Sequence, residues 1–308
     1  MRAVTQRSYG RPAVLALEDV EKPAAGDKKV LIRVRAASLN AYDWHMLRGK
    51  PYLVRLTSGV RRPKRLVPGV DISGVIEAVG AAVTLFKPGD EVFGPSNGAL
   101  AEYAVARESS YATKPDGFSF EQVAGVPMAG VTAIQALRDK GQVRAGQRVA
   151  IVGASGGVGT FAVQIAKAIG AEVTAICSTR NVPIARSLGA DHIIDYTRED
   201  FIDGNQNYDV ILKVAGDRPM ADLRRALTRA GRLVAVGGDI GSNWGGPLKM
   251  VLEPMLASAF RPQKMTTMLA KNRTPHRHRR IDGERQGHTR YRPHLRPLRC
   301  RRGLRLPR

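Results

Sequence analysis

Residues 153–159, Gly-Ala-Ser-Gly-Gly-Val-Gly, carry the strongest chemical signal in the chain. They follow the apolar run Val149-Ala150-Ile151-Val152 and lead into Thr160 to Ile169, which reads as a helix. A dinucleotide pyrophosphate needs this arrangement. Glycine lets the backbone approach closely, and a helix N-terminus offers unpaired N–H groups and the positive end of a dipole. The turn is one residue longer than a strict G-x-G-x-x-G, so the signal rests on its strand–turn–helix context. Gly153, Ala154, Ser155, Gly156, Gly157, Val158 and Gly159 are the expected pyrophosphate-binding residues.

The next strand, Val173 to Cys177, ends on Ser178-Thr179-Arg180-Asn181. An NAD site expects an acid at that place, bonding the ribose 2′-hydroxyl. Here no acid is present, and Ser178 and Arg180 suit a 2′-phosphate. NADP(H) is therefore the expected cofactor, with Ser178, Thr179 and Arg180 beside its phosphate. The plainer alternative is that Arg180 is a solvated loop charge.

These loops need elements to hold them. Residues 1–120 read as short strands punctuated by Gly and Pro, such as 30–35, 70–79 and 91–93, which suggests a β-rich, barrel-like unit. Glu121 to Arg138 reads as a helix interrupted by Pro127 and Gly130. Beyond it strands and helices alternate, with further strands at 192–194, 209–212 and 233–236. Alternation of this kind implies a parallel, doubly wound sheet. The expected class is α/β, a Rossmann sheet plus a β-rich domain.

The same chain resembles the zinc-independent medium-chain dehydrogenases/reductases of the quinone oxidoreductase type. The resemblance runs from residue 1 to about 274. It is carried by Ser38-Leu39-Asn40-Ala41-Tyr42-Asp43, Pro68-Gly69-Val70-Asp71-Ile72-Ser73-Gly74, Lys87-Pro88-Gly89-Asp90, Pro127-Met128-Ala129-Gly130-Val131-Thr132, the glycine-rich loop, and Gly189-Ala190-Asp191-His192. It implies a GroES-like substrate domain over 1–124, a Rossmann domain over 125–265, and a return towards the first domain from 266–274. It also implies a homodimer that passes a hydride from NADPH to a quinone or enone. A zinc-independent alcohol dehydrogenase is the alternative.

By the resemblance, Asn40 lies near nicotinamide and substrate, Asp43 orders that loop, and Thr132 opens towards the nicotinamide. Tyr196 matches a tyrosine beside the adenosine phosphate, and Gly237 and Gly238 bring backbone to the cofactor. Tyr42 and Tyr52 can donate hydrogen bonds to a flat acceptor or stack on it, or can be ordinary half-buried aromatics. Lys213 stands where similar proteins often carry Asp. No metal is expected. Zinc relatives place Cys in the loop held here by Asn40 to Asp43, and residues 1–176 contain no cysteine.

The formal charge of +22 suggests nucleic acid until it is located. Residues 272–308 hold 13 Arg and two acids, Asp282 and Glu284, so half of the net charge sits there. A second basic stretch, residues 48–65, has seven Lys and Arg and no acid. It has few aromatics for stacking bases, so a solvated loop near the cofactor cleft is the expected account.

The tail has no apolar periodicity. By the resemblance, text like G-K-V-T-P-V-I-D-R and then L-S-D-A belongs there. Codons exist for residues 281–297 that, read one base later, give S-M-A-S-G-K-V-T-P-V-I-D-R-T-Y. The continuation permits D-L-S-D-A-A-E-G-F-G-Y-L. Residues from about 275 onward are therefore expected to be out of frame and disordered, and the 308-residue product poorly stable or poorly active. Resequencing around the Pro275 codon decides this, and an unbroken frame contradicts it.

No apolar run approaches the ~20 residues of a membrane helix. Two cysteines, Cys177 and Cys300, make no disulfide framework. A cytoplasmic protein is expected, with a small-molecule acceptor, no membrane partner, and nucleic acid not favoured.

Overall fold

A computed structural model describes residues 1–202, 207–237 and 262–268. The tail, its proposed frame shift and Gly238 lie outside the described residues.

The first region holds β1 (Arg2–Gln6), β2 (Leu15–Asp19), β3 (Lys29–Ser38), α1 (Ala41–Arg48), α2 (Val54–Ser58), β4 (Asp71–Val79), β5 (Glu91–Pro95), β6 (Tyr103–Arg107) and β7 (Ala112–Thr113). β1 and β2 pair as a small antiparallel sheet. The others form a five-stranded antiparallel sheet in the order β6-β3-β4-β5-β7. Its central strands bury Val30, Ile32, Ile72, Ile76 and Val92 in one core. Each such side chain gains about 1.5–3 kcal/mol on leaving water. The helices α1 and α2 fall where the sequence suggested only strands and loop. Gly49, at φ 57, ends α1 in the left-handed region, the commonest way a helix stops.

Next come α3 (Phe120–Ala124) and α4 (Pro127–Ile134), followed by a π-helical turn over Gln135–Gly141. The single helix expected over 121–138 is thus divided. Pro127 lacks an N–H and so starts a new helix at its first turn.

The chain then alternates: β8 (Arg148–Val152), α5 (Gly157–Ile169), β9 (Glu172–Cys177), α6 (Val182–Ser187), β10 (His192–Asp195), β11 (Tyr208–Lys213), α7 (Met220–Arg225), β12 (Leu227–Val236) and β13 (Lys264–Met268). The strands form a six-stranded parallel sheet in the order β10-β9-β8-β11-β12-β13. Val149 and Ile151 enter the core with α4 and α5, while Ala150 enters the opposite core with Leu223 of α7. Both faces are covered, which is why these strands are apolar without alternation.

One boundary is corrected. The return to the first domain was expected from residue 266. Instead β13 pairs with β12 as far as Val236↔Met268, so residues 266–268 still belong to the parallel sheet. No helix among the described residues is long and apolar enough to cross a membrane.

Candidate active site

The strand order reverses between β8 and β11, and the connections leave their C-terminal ends in opposite directions. That divergence opens a crevice, the usual ligand site of an open α/β sheet. Here it is a groove of about 830 Å³. Gly153, Ser155 and Gly156 line it after β8, Ser178 and Arg180 after β9, Tyr196 after β10, and Lys213 at the end of β11.

Two glycines are required by geometry. Gly153 has φ +86, and a Cβ there would lie 2.7 Å from the Ala215 Cβ. A Cβ on Gly159 would lie 2.1 Å from the Gly153 carbonyl oxygen, so α5 packs against the turn only because residue 159 has no side chain. Ala154 is fully buried beneath the turn. Gly157, Val158 and Gly159 form the first turn of α5, outside the groove lining. Gly237 has φ 64 at the end of β12 and is likewise outside it.

Thr179 is not part of the groove lining. Its hydroxyl donates to Asp195 Oδ2, and the Thr197 hydroxyl donates to Asp195 Oδ1 at 2.7 Å. These hydrogen bonds hold the Asp195 carboxyl below the usual carboxylate range. Asp195 lies one strand over, registered opposite Cys177, and no motif marks it as the partner of Thr179. Thr197 and Arg198 line the groove and were not foreseen. Lys213 Nζ donates to the Arg218 carbonyl at 2.8 Å, closing the loop that borders the groove.

The second centre forms where β3 and β4 end side by side. Ser38 pairs with Asp71, and two residues later the chain turns at Asn40 into α1. The Asn40 N–H donates to Asp43 Oδ2 at 2.7 Å, the arrangement of a helix start. The Asn40 Nδ2 donates to Asp71 Oδ2 at 3.0 Å, and the Met128 N–H at the start of α4 donates to the same oxygen at 2.9 Å. Asp71 is fully buried, and its Oδ1 has no hydrogen-bond partner among the described residues. Burial pushes the Asp71 carboxyl up to about 7, against the two hydrogen bonds and with the Asp43 charge. Burial also raises the Asp43 carboxyl, opposed by the Asn40 N–H.

The sequence assigns Asp71 no role, although a carboxylate opening a strand that goes on to Ile72, Val75 and Ile76 is a visible signal. Thr132 is buried one turn beyond Met128. Tyr42 and Asp43 line a cavity of about 250 Å³ with Gly69, Val70, Ser58 and Lys64. Tyr52 is not part of that lining. Its ring lies under Arg55 and Lys50, at 4.9 and 5.8 Å.

A parallel sheet with a glycine turn at its crevice, and an antiparallel sheet whose strand ends hold a buried carboxylate and amide, make up an α/β protein with a ligand crevice at the strand ends. The comparisons agree. Residues 26–116 match the alcohol dehydrogenase GroES-like domain, and residues 157–263 match the model described as zinc-binding dehydrogenase. The chain is 33% identical over 289 residues to quinone-oxidoreductase QR1 of Triphysaria versicolor, covering 87% of this chain and 82% of that protein. It is 36% identical over 258 residues to the NADPH-dependent alkenal/one oxidoreductase of Arabidopsis thaliana, covering 78% of this chain and 63% of the relative. The solved quinone oxidoreductase of Coxiella burnetii superposes with a TM-score of 0.76 at 28% identity, over 88% of this chain and 83% of that one. The chain belongs to the medium-chain dehydrogenase/reductase family and is a quinone oxidoreductase-like enzyme of it.

The second domain model bears the name of zinc. Among the described residues no group of three or more His, Cys, Asp and Glu side chains is placed to hold a metal ion. Asp71 Oδ2 accepts from the Asn40 amide and the Met128 N–H.

Proposed function

We propose that the protein uses NADPH to reduce quinones or α,β-unsaturated carbonyl compounds, without a metal. The observation that carries this reading is the Asn40–Asp71 pair, an amide fixed by a buried carboxylate beside Met128 of α4. The groove residues fit the cofactor. Gly153 and Gly156 accept close approach of a pyrophosphate, and Ser178, Arg180 and Tyr196 suit a 2′-phosphate.

When bound, NADPH supplies a hydride. The chain supplies position and polarity. One N–H of the Asn40 amide donates to Asp71 Oδ2, and the second remains to donate to an acceptor oxygen as charge develops on it. Asp43 holds the Asn40 backbone, so the donor is set before the acceptor arrives. A conjugated acceptor takes hydride at carbon and a proton from solvent, so no strong acid is required.

The test follows NADPH absorbance with a panel of quinones and enones, repeated with NADH and with a chelator. Consumption with NADPH that the chelator does not slow is expected. No consumption with any acceptor, or loss on chelation, overturns the reading.

A further inference from the structure

Exposed apolar side chains are concentrated in one place. Among the described residues ten large apolar or aromatic side chains are exposed, and seven of them fall between Leu39 and Leu66. That is a 28-residue stretch of a 308-residue chain. Leu56 is 67% exposed, Val60 65% and Trp44 46%. A soluble surface scatters such residues singly, and a concentration of them marks a contact face.

The same stretch is strongly basic. Residues 48–65 carry seven Lys and Arg and no acid. Among the described residues none of the seven is in an ion pair. Arg48 lies over the Trp44 ring at 5.2 Å, while Arg61, Arg62, Lys64 and Arg65 are exposed. The one acid between 39 and 66, Asp43, is committed to the Asn40 N–H. Unopposed positive charge beside exposed aliphatic side chains fits a surface that is anionic outside and apolar beneath. Nucleic acid meets the first property and its bases can stack on Tyr42 and Trp44, but it offers nothing to the exposed Leu53, Leu56, Val60 and Leu66.

We propose that α1, α2 and the loop to Leu66 dock on an anionic lipid surface. Leu56 and Val60 enter the acyl boundary and the basic side chains meet the headgroup phosphates. The expectation of no membrane partner came from the lack of a spanning run, and a face that lies on a bilayer needs none. Docking also has a consequence for the cavity of about 250 Å³, which Ser58, Lys64 and Arg65 of this stretch line together with Tyr42 and Asp43. Its mouth comes against the bilayer, the source of lipophilic quinones and alkenals. Only this delivery step rests on the acceptor reading; the docking itself does not.

The test is sedimentation of the full chain with vesicles of phosphatidylcholine alone and of phosphatidylcholine with phosphatidylserine, at low and high salt. Binding to the anionic vesicles is expected, weakened by salt and about tenfold weaker on the neutral ones. Leu56→Ser/Val60→Ser is expected to lose about tenfold in vesicle affinity while NADPH binding and its oxidation by a water-soluble acceptor stay unchanged. If that variant does not fold, Arg61→Gln/Arg62→Gln reads the electrostatic part, with the same expected loss.

Equal vesicle binding by parent and variants overturns the proposal and assigns the affinity to the Arg-rich tail, which all forms share. A change of the variant from dimer to monomer without a change in vesicle binding overturns it in favour of a second copy. Duplex DNA bound as tightly as the vesicles, and indifferent to Leu56 and Val60, also overturns it. Failure of NADPH oxidation in every form would strike the acceptor reading and leave the docking measurement standing.

Discussion

The two sheets build recognition by different means. At the crevice of the parallel sheet the work is done by backbone, through the turn at Gly153, the bare Gly159 and the first turn of α5. At the ends of β3 and β4 it is done by side chains, Asp71 and Asn40, brought together from 31 residues apart. A backbone site writes itself into the sequence as glycines at fixed spacing. A side-chain site depends on register, and a one-residue slip of β4 against β3 would turn Asp71 to the other face. The first kind tolerates no added atoms, and the second tolerates no lost acceptor.

That difference sets the order of expected effects. Gly159→Ala is the most severe. Its Cβ would stand 2.1 Å from the Gly153 carbonyl oxygen and 2.8 Å from Ala154 backbone atoms, with no flexible side chain to yield. We expect NADPH affinity to fall by about a hundredfold or more, together with a lower melting temperature. Titration of NADPH fluorescence and a thermal melt check both. Full affinity would mean that the turn carries no cofactor.

Asp71 comes next, and its two variants separate structure from chemistry. Asp71→Leu leaves the Met128 N–H and the Asn40 amide without an acceptor, at a cost of about 2 kcal/mol in stability. Asp71→Asn keeps an acceptor oxygen and removes the charge. In the parent the folded carboxyl titrates near 7 against an ordinary 3.8, so the native state holds its proton more tightly than the unfolded chain does. The protonated carboxyl is therefore stabilising below the unfolded value, and that contribution is lost as pH rises from about 4 through about 7. Denaturant midpoints across this window should fall in the parent relative to Asp71→Asn. Parallel curves would remove Asp71 from the account. Asp71→Leu should lower kcat about tenfold with the KM for NADPH unchanged, because Asn40 rather than the groove loses its anchor, and Asp71→Asn, which keeps the acceptor oxygen, should lower it less.

Arg180 tests the sheet crevice more gently. It lines the groove beyond β9 with Ser178, and Glu199, Asp200 and Asp217 line that groove too, Asp200 being paired with Arg218. Arg180→Gln should cut the preference for NADPH over NADH about tenfold, roughly 1.4 kcal/mol, with NADH affinity unchanged. Equal losses for both dinucleotides would show a structural role for Arg180 instead of phosphate recognition.

The halves also differed in how far they could be read beforehand. The parallel sheet was legible almost strand by strand, because burial on both faces makes each strand a continuous apolar run. The glycine turn and the Ser178–Arg180 corner followed from the same pattern. α1 and α2 were not legible. They are short, and Tyr42, Trp44 and Leu56 lie exposed on them, so no apolar stripe marks a buried face. β13 was missed for another reason: Lys264 to Met268 alternates weakly and becomes a strand only by pairing with β12. Asp71 stands inside the Pro68–Gly74 motif, and only the fold shows that the Asn40 and Met128 donors reach it.

Lys213 gives the smallest expected effect and the sharpest comparison. A strand end in the parallel sheet normally offers the cofactor backbone, yet here β11 ends on a cation whose Nζ holds the Arg218 carbonyl and whose side chain lines the groove. Two contributions are then mixed, the hold on the 213–218 loop and a positive charge near a polyanionic ligand. Lys213→Met removes both, and Lys213→Arg keeps the charge while changing the reach. If charge dominates, the methionine variant raises the KM for NADPH a few-fold, about 1 kcal/mol or less, and the arginine variant does not, with the difference shrinking at high salt. If the loop contact dominates, both variants weaken binding alike and salt leaves the gap unchanged. The first outcome would make this edge of the parallel sheet a side-chain site like the one at Asp71, and the second would leave it a backbone site with a lysine as its tie.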